Sequence, residues 1–597
     1  MQKENSRNTI IFFVCAALIM GIYYFTVMKP QAEQQRQARV AAAELSQEAG
    51  AKVGDAEATV TGAAFVTDRA AALQSAVRVP IETPTVKGSL SLLGSRIDDL
   101  FLTNYKEELG GSEAVELFRP QGMEHAYFAQ FGWRGENVAG GVPGPNTVWT
   151  LTKGDKLTPT TPIELTWDNG NGLRFIRAIS VDDQYLFTVK DTVANLGETP
   201  ITIAPYGRVE RQGLPEGLGK QMILHEGAIG TFGNGKSYAT DQIKYKDWAK
   251  KTRVEETSTG GWMGVTDKYW LAALIPAQDE KIDARFTVRN IQNIEVHEAN
   301  MLGAAHVIAP GKQIEETQRL FAGAKRAEVL QSYEESLGLP RFVYAIDWAM
   351  FWFLTRPIFA VLEFFFNLLG NFGVAILALT VVVKLILFPL ANKSYASMSK
   401  MRMLQPKMEE IKKKHGKDPQ KQQQEMMALY QREKINPLAG CLPILVQIPV
   451  FYALYKVLFV TIEMRHAPFF GWIKDLSAKD PTTIWNLFGA IPYDPSAIPL
   501  LGTILGGPLH LGILPLVYGL TMWLQMSMNP PAQDPIQRQI FALMPILFTF
   551  IMAPFAAGLL VYWAWNNVLS ILQQYVIMHK FKAENPIDTF FARFKKG

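Results

Sequence analysis

Long runs without charged residues alternate with stretches of ordinary polarity along this chain. Each run reaches the ~20 residues that a helix needs to cross a hydrocarbon core. The runs are Asn8–Met28, Phe364–Val383, Ile435–Tyr455, Pro495–Gln533 and Gln539–Met578. The last run is long enough for two helices, and Pro554 with Gly558 marks a turn near its middle. The pattern therefore predicts six membrane spans.

Basic residues indicate how these spans are oriented. Residues 391–440 contain eleven Lys and Arg, residues 464–510 contain three, and the tail from His579 contains five. Because cytoplasmic loops carry the excess of Lys and Arg, both termini and the 391–440 loop are predicted to be cytoplasmic. The first run lacks a clean small-residue cleavage site, which favours an uncleaved signal anchor over a cleaved signal peptide.

The region between the first two spans is predicted to lie on the far side of the membrane. Residues 29–75 are rich in Ala, Gln and Glu, which is typical of a flexible or partly helical linker. Short alternating stretches divided by turn residues follow, and this pattern predicts an antiparallel β-sandwich. The predicted strands are Val148–Leu151, Ile163–Trp167, Leu173–Val181, Tyr185–Val189, Ile201–Ala204, Trp270–Ile275 and Phe286–Val288.

One segment of this domain fits the phosphate-loop pattern G-x-x-x-x-G-K-[ST]. It runs from Gly230 to Ser237, with Lys236 at the lysine position. A phosphate loop needs a helix directly after it, so that the helix N-terminus supports the anion. Residues 238–248 carry no apolar stripe, and the context is antiparallel β. We therefore predict a glycine-rich hairpin loop, with nucleotide binding as the alternative.

Composition excludes several other classes of function. The 597 residues carry a formal net charge of only +4, with 48% hydrophobic residues and dispersed basic residues, so nucleic acid is not the expected primary partner. The eight histidines form no i, i+4 pair, and the two cysteines lie inside predicted spans. We therefore expect no metal site, no cofactor and no disulfide, and nothing assembles into an enzyme active site.

The most informative side chain is a lysine inside the second span. An ionisable residue within a span is costly and indicates a functional site, and Lys384 lies one helical turn after Thr380. The alternative is that Lys384 extends to the inner membrane surface, because Leu390 is near. Polar residues in other spans, among them Gln447 and Asn566, would complete a cavity at the inner leaflet, although each could instead bridge two helices.

Two amphipathic regions flank this span. Residues 341–356 combine Trp and Phe with few charges, which predicts a helix lying in the membrane interface. Residues 391–435 are predicted to form a cytoplasmic hairpin of two charged helices. Its methionines would either offer a soft surface to clients or partners, or pack the hairpin together. Those singled out are Met401, Met408, Met426 and Met427.

Several motifs in the second half resemble a known family. They closely resemble the YidC branch of the YidC/Oxa/Alb membrane protein insertases, in its Gram-negative form with a large periplasmic domain. The resemblance covers roughly 341–582. The motifs are Phe388–Tyr395, Met401–Lys407, Gln424–Tyr430, Asn436–Pro443, Glu463–Phe469 and Trp472–Ala478.

The resemblance implies a hydrophilic groove open to the cytoplasm and to lipid. Its positive residue would be Lys384, with Thr380, Gln447 and Trp563 on the groove walls. An apolar slide for the client helix would consist of Phe451, Met522, Ile551 and Met552. The family usually carries arginine at the first position and tyrosine where Trp563 stands. Because lysine can lose its proton in a dry site whereas arginine stays charged, a hydrated groove is required here.

The resemblance implies a membrane protein insertase and chaperone of the inner membrane, acting alone or with the Sec translocon. Nascent membrane proteins and the lipid bilayer are the expected partners, with the ribosome and signal recognition machinery as further candidates at the hairpin and basic tail. A polytopic solute transporter with a carbohydrate-binding-like β domain is the alternative. The expected segments are an N-terminal signal anchor (1–28), a linker (29–75), a periplasmic β-sandwich (76–335), an interfacial helix (341–356), the second span (357–390), a cytoplasmic hairpin (391–435), the third span (436–462), a periplasmic loop (463–510), the fourth span (511–528), a short loop (529–539), the fifth span (540–554), the sixth span (556–578) and a basic cytoplasmic tail (579–597).

Overall fold

Two units make up the described part of the chain. The computed structural model describes residues 68–594 except 216–217, 219–223, 292, 350, 416–417, 434–441, 492, 495–497, 499–500, 508 and 531–534. The predicted first span and most of the predicted linker therefore lie outside the described residues. The boundary between the two units falls between Asp347 and Trp348.

The first unit consists mainly of β-strands, where alternating sequence patterns predict them. Its strands are β1 (Arg78–Glu82), β2 (Val86–Ser91), β3 (Arg96–Lys106), β4 (Ala114–Phe118), β5 (Tyr127–Arg134), β6 (Thr150–Lys153), β7 (Ile163–Asp168), β8 (Leu173–Val181), β9 (Leu186–Asn195), β10 (Ile201–Gln212), β11 (Gly227–Gly233), β12 (Tyr238–Lys244), β13 (Arg253–Thr259), β14 (Trp262–Thr266), β15 (Trp270–Ile275), β16 (Lys281–Ile291), β17 (Ile294–Leu302), β18 (His306–Ile308) and β19 (Gln313–Ala324). Its helices are α1 (Arg69–Gln74), α2 (Tyr245–Lys251) and α3 (Ala327–Ser336).

These strands form two sheets with antiparallel ladders. The ten-stranded sheet has the order β1-β2-β3-β5-β10-β17-β16-β13, with β4 beside β3 and β18 beside β10, and the nine-stranded sheet has the order β12-β11-β14-β15-β19-β9-β8-β7-β6. Along β8 every second residue from Leu173 to Val181 is buried, which is the alternation expected of a strand with one face in a core. The predicted β-sandwich is confirmed.

A buried ion pair joins the two sheets. Arg177 on β8 donates through two nitrogens to the carboxylate of Asp191 on β9, both at 2.7 Å. The indole of Trp133 on β5 donates to the same carboxylate at 2.7 Å, and Arg177 donates to the carbonyl of Phe131 at 2.9 Å. The guanidinium also lies 4.6 Å from the ring centroid of Trp149. Every partner that this buried charge needs is therefore supplied within the core.

The segment that fits the phosphate-loop pattern is a β-hairpin. Residues 230–233 belong to β11, and Gly233 pairs with Tyr238 at the start of β12. In the turn, the side-chain oxygen of Asn234 accepts from the backbone N–H groups of Lys236 and Ser237, and Gly235 has φ +85°. A strand rather than a helix follows, so the segment lacks the helix N-terminus that a phosphate site requires. The predicted hairpin is confirmed.

The second unit is helical. Its helices are α4 (Trp352–Leu369), α5 (Phe372–Met403), α6 (Gln405–His415), α7 (Pro419–Arg432), α8 (Leu442–Val460), α9 (Gly502–Leu505), α10 (Ile513–Ser527), α11 (Pro535–Met552), α12 (Ala557–Lys580) and α13 (Pro586–Phe594). Among the described helices, α4 and α5 are long and apolar enough to cross a membrane, and three shorter apolar segments lie in α8, α10 and α11. The number of six spans stays a prediction.

The structure divides the stretch predicted as the second span. Gly370 has φ +68° and ends α4, and the side chain of Asn371 then accepts from the N–H of Val374 and begins α5. Glycine tolerates this left-handed conformation, and asparagine is a favoured N-cap, so both residues favour a break here. The predicted interfacial helix at 341–356 is wrong in its bounds, because the described residues of that stretch form a 3-10 turn at 342–345 and α4 begins at Trp352.

The second-span helix also continues further than predicted. Helix α5 extends without interruption to Met403, past the predicted end at residue 390 and through the first part of the predicted hairpin. Beyond it, Leu404 and Met408 pack against Leu429 of α7, which brings α6 and α7 together. Residues 416–417 between these two helices lie outside the described residues, so the form of the connection stays a prediction.

Candidate functional site

Four helices of the second unit, α5, α8, α10 and α12, surround a cavity of about 220 Å³. A cavity of this size has room for several water molecules, and the polar side chains among its lining residues can hydrogen-bond them. One lysine, three amides, two tyrosines and one serine face it beside apolar side chains. The lining residues are Lys384, Leu387, Leu390, Ala391, Tyr395, Gln447, Ile448, Phe451, Gln525, Tyr562, Asn566 and Ser570.

The lysine points into the helix bundle. Lys384 Nζ donates to Ser570 Oγ of α12 at 2.7 Å. Ser570 is only 1% exposed, and its own hydroxyl donates to the carbonyl of Asn566 at 2.8 Å, which leaves oxygen lone pairs for the ammonium. The side chain of Lys384 therefore lies along the cavity wall and does not follow the path to the membrane surface that its sequence position also allowed.

The predicted wall residues divide into two groups. Gln447 lines the cavity, and its amide donates to the hydroxyl of Tyr562 at 3.1 Å. Thr380 is buried and donates to the carbonyl of Ile376 in its own helix at 2.6 Å, so its hydroxyl is already used. Trp563 is buried and stacks on Phe451, with ring centroids 5.0 Å apart. Neither Thr380 nor Trp563 is among the lining residues.

The four residues predicted as an apolar slide differ in their exposure. Phe451 lines the cavity and is half-buried, which places it next to the polar wall. Met522 on α10 and Met552 at the end of α11 are half-buried as well. Ile551 is 44% exposed on the outside of α11. These residues therefore offer apolar surface that other parts of the described bundle leave partly uncovered.

Reasoning from the sequence missed part of the polar wall. Tyr562, Asn566 and Ser570 recur at intervals of four residues on α12 and therefore share one face. Asn566 was among the residues predicted to complete the cavity. Tyr562 and Ser570 were not, because a tyrosine or a serine in an apolar run is a weak signal of a functional site. Tyr395 was also missed, because it belonged to the stretch predicted as a cytoplasmic helix.

Other polar side chains of α12 bridge helices instead of lining the cavity. Asn567 donates to Thr521 of α10 at 3.2 Å, and Gln573 donates to Asn392 of α5 at 3.0 Å. Gln574 donates to the side chain of Asn529 just after α10, also at 3.0 Å. Such bonds between apolar helices stabilise their packing. The wall that carries Ser570 is consequently held on both sides.

The four methionines singled out on α5, α6 and α7 are mostly covered. Met408 is 2% exposed in the core that α6 and α7 share, and Met401 and Met426 pack against this core. Met427 is 39% exposed. Of the two roles considered, packing describes the first three residues, and Met427 keeps a surface for contacts.

One group in the first unit has the composition of a metal site. Potential ligand atoms of Glu280, His306 and Glu316 lie within 4.8 Å of one another. His306 Nε2 is 3.6 Å from Glu280 and 3.5 Å from Glu316, and these two carboxylates raise the pKa of His306 from 6.5 to about 9. A protonated imidazole has no lone pair for a metal. At neutral pH the protonated imidazole and the two carboxylates form an ion-paired cluster.

Comparison with known families covers both units. Residues 78–361 match the model of the YidC periplasmic domain, and residues 364–584 match the model of the 60Kd inner membrane protein. A relative from Caulobacter vibrioides, named membrane protein insertase YidC, is 52% identical, with 100% of this chain and 99% of that protein covered. A relative of the same name from Maricaulis maris is 48% identical, with 99% of each covered.

One solved structure is similar to this chain over most of its length. The crystal structure titled as an active YidC insertase with the first transmembrane domain resolved is 16% identical, covers 84% of this chain and 93% of that one, and has a TM-score of 0.34. The two family models together span most of the chain, and the relatives match it along its whole length. The chain therefore belongs to the YidC family of membrane protein insertases.

Proposed function

We propose that this protein inserts, folds and helps to assemble integral membrane proteins in the inner membrane, alone or with the Sec translocon. The observation that carries the proposal is the cavity with an ammonium group among polar side chains, set between apolar helices. Full-length relatives named as insertases support it. Insertion is a partitioning process, so no enzymatic step is assigned, and no observation favours a solute transporter.

The cavity suggests how a polar segment is helped into the membrane. An unpaired polar group costs several kcal/mol, as an order of magnitude, when it enters hydrocarbon. A hydrated pocket part of the way across shortens the path over which this cost applies. The ammonium of Lys384 attracts an acidic client tail, while Gln447, Gln525 and Asn566 replace part of the water that the tail gives up.

The client's apolar helix then moves from the cavity into lipid. The half-buried and exposed apolar side chains Phe451, Met522, Ile551 and Met552 provide its route, and Trp563 stiffens the route by stacking on Phe451. Partitioning of an apolar helix into lipid is downhill and needs no nucleotide. The membrane potential can add ~2.3 kcal/mol per charge for each 100 mV when an acidic tail moves outward.

We also propose six spans, with the predicted bounds adjusted to the observed helices. The proposed spans are residues 1–28, α5, α8, α10, α11 and α12, and α4 takes the role of the interfacial helix. Helix α5 has 32 residues and is about 48 Å long, more than the ~30 Å of hydrocarbon, so its last turns lie in the cytoplasm. Both termini are then cytoplasmic, and the β-sandwich is periplasmic.

Nascent membrane proteins and the lipid bilayer are the proposed partners. The cytoplasmic end carries the exposed Met427 and a basic tail, where the ribosome and signal recognition machinery could make contact. The interaction with clients is the part that the cavity supports directly.

Reconstitution tests the proposal. The purified full-length protein is placed in vesicles with one short client that has an acidic N-terminal tail, and insertion is measured as protection of that tail from external protease. We expect insertion that depends on the protein and needs no nucleotide. Equal insertion in protein-free vesicles, or a requirement for ATP, would overturn the proposed function.

A further inference from the structure

The loop between α8 and α10 presents an exposed apolar turn. A 3-10 turn spans Ile484–Gly489, and residues 483–491 are named the apolar turn here. Within it, Leu487 is 62% exposed, and Phe488 is 45% exposed, while Trp485 and Ile491 are exposed to a similar degree. Large adjacent apolar side chains on a loop tip mark a surface that another phase or molecule covers.

The backbone holds these side chains outward at a cost. Leu487 has φ 49° and ψ 48°, and Phe488 has φ 56° and ψ 36°, so two consecutive residues with side chains are left-handed. This conformation is strained for such residues and persists only where the surroundings enforce it. Here the side-chain oxygen of Asn486 accepts from the N–H groups of Thr483 at 2.9 Å and Gly489 at 2.8 Å.

The apolar turn is attached directly to the start of α10. The N–H of Ile484 donates to the carbonyl of Leu511 at 2.9 Å. Next to the turn, the buried carboxylate of Asp480 accepts from the N–H of Leu514 at 2.8 Å, and Thr482 accepts from the N–H of Ile513 at 3.0 Å. The turn therefore cannot move far from the end of this helix.

The length of α10 places that end close to hydrocarbon. Its 15 residues are about 22 Å long, shorter than the ~30 Å of a hydrocarbon core. From Pro481 to Gln533, Asp494 is the single Asp, Glu, Lys or Arg of the sequence. A loop that faces water has no need to exclude charged residues, whereas a loop that contacts the membrane does.

We propose that the apolar turn inserts the side chains of Trp485, Leu487, Phe488 and Ile491 among the lipid acyl chains at the membrane surface where α10 begins. The turn then sets the depth of α10, which carries one wall of the cavity. This inference rests on the proposed assignment of α10 as a span and not on insertase activity.

Site-directed fluorescence tests the inference. In the full-length protein with Cys15→Ser and Cys441→Ser, Leu487→Cys or Phe488→Cys is labelled with an environment-sensitive fluorophore and reconstituted without other proteins. Lys474→Cys, at an exposed position of the same loop, is the matched control. We expect brominated acyl chains to quench either label in the turn several-fold more strongly than the control, and aqueous iodide to quench it several-fold less.

Two results would overturn the inference. One is quenching by iodide equal to that of the control, which places the turn in water. The other is protection from both quenchers, which means that protein, and not lipid, covers the turn. The same vesicles are assayed for client insertion, so that lipid quenching without insertion contradicts only the proposed function, and insertion without lipid quenching contradicts only this inference.

Discussion

Neutralising the cavity lysine is the sharpest test of the proposed mechanism. In Lys384→Gln the charge is lost, while a side chain with a polar donor of similar length stays near Ser570. We expect slower insertion of clients with acidic tails and an unchanged rate for clients whose tails are neutral. The variant should keep its fold, because the cavity around Lys384 is open enough to accommodate an amide.

The magnitude follows from the position of the ammonium. An ammonium and a carboxylate 4 Å apart attract each other by about 1 kcal/mol in bulk water and about 4 kcal/mol at an effective dielectric constant of 20. Lys384 is half-buried beside a cavity that has room for water, so an intermediate value of about 1–3 kcal/mol applies. Since 1.36 kcal/mol in a barrier is tenfold in rate, the acidic client should insert roughly 5- to 160-fold more slowly.

The assay uses the purified protein in vesicles and three clients that differ only in an Asp, Asn or Lys in the tail. Lys384→Arg is the matched control, because it keeps the charge. Lys384→Glu should invert the preference, so that the client with the basic tail is now inserted faster than the acidic one. Thermal unfolding of each variant in detergent checks that the fold is intact.

Two outcomes would refute the reasoning. If Lys384→Gln slows all three clients equally, the lysine supports the bundle and does not attract client charge. If Lys384→Glu leaves the order of the three clients unchanged, the tail does not meet this side chain at all.

The remaining predictions concern one cavity contact and the β-sandwich. The Ser570→Ala variant should insert acidic clients several-fold more slowly, because the ammonium of Lys384 loses the hydroxyl that positions it. The Ser570→Thr variant, which keeps a hydroxyl, should insert clients at the normal rate. Asp191→Ala leaves the guanidinium of Arg177 buried without its partner, so urea unfolding should show a loss of about 3–5 kcal/mol. Because the folded-state pKa of His306 is raised to about 9, its stabilisation is fully present below pH 6.5 and is lost as the pH rises toward 9, by about 2 kcal/mol once solvent screening is allowed for. Unfolding of His306→Gln should lack this dependence on pH.

The sequence predicted the kinds of element better than their ends. Alternation along 173–181 was enough to predict β8, because one face of that strand is buried and the other is not. Uncharged runs located the apolar helices, because a charged side chain within a span is costly. The break at Gly370 went unpredicted, since an apolar run continues through it on both sides and hydropathy does not register a change in backbone direction.

The candidate site shows the same division. The charge of Lys384 inside an apolar run was visible in the sequence. It indicated a functional site because burying a cation in a membrane span costs free energy. Whether the side chain extended to the inner membrane surface or turned into the bundle was not visible. That depended on Ser570, which lies far along the chain and meets Lys384 only when α5 and α12 pack together.

The amino-acid sequence was enough to predict apolar helices, an antiparallel β domain and a cation within one span, since hydropathy and periodicity are properties of residues that are neighbours in the chain. The packing of the helices determines which polar side chains surround that cation and which bridge helices. It also decided that Thr380 bonds within its own helix and that Met408 is buried. These outcomes depend on the angle and distance between packed helices, and local sequence does not contain that information.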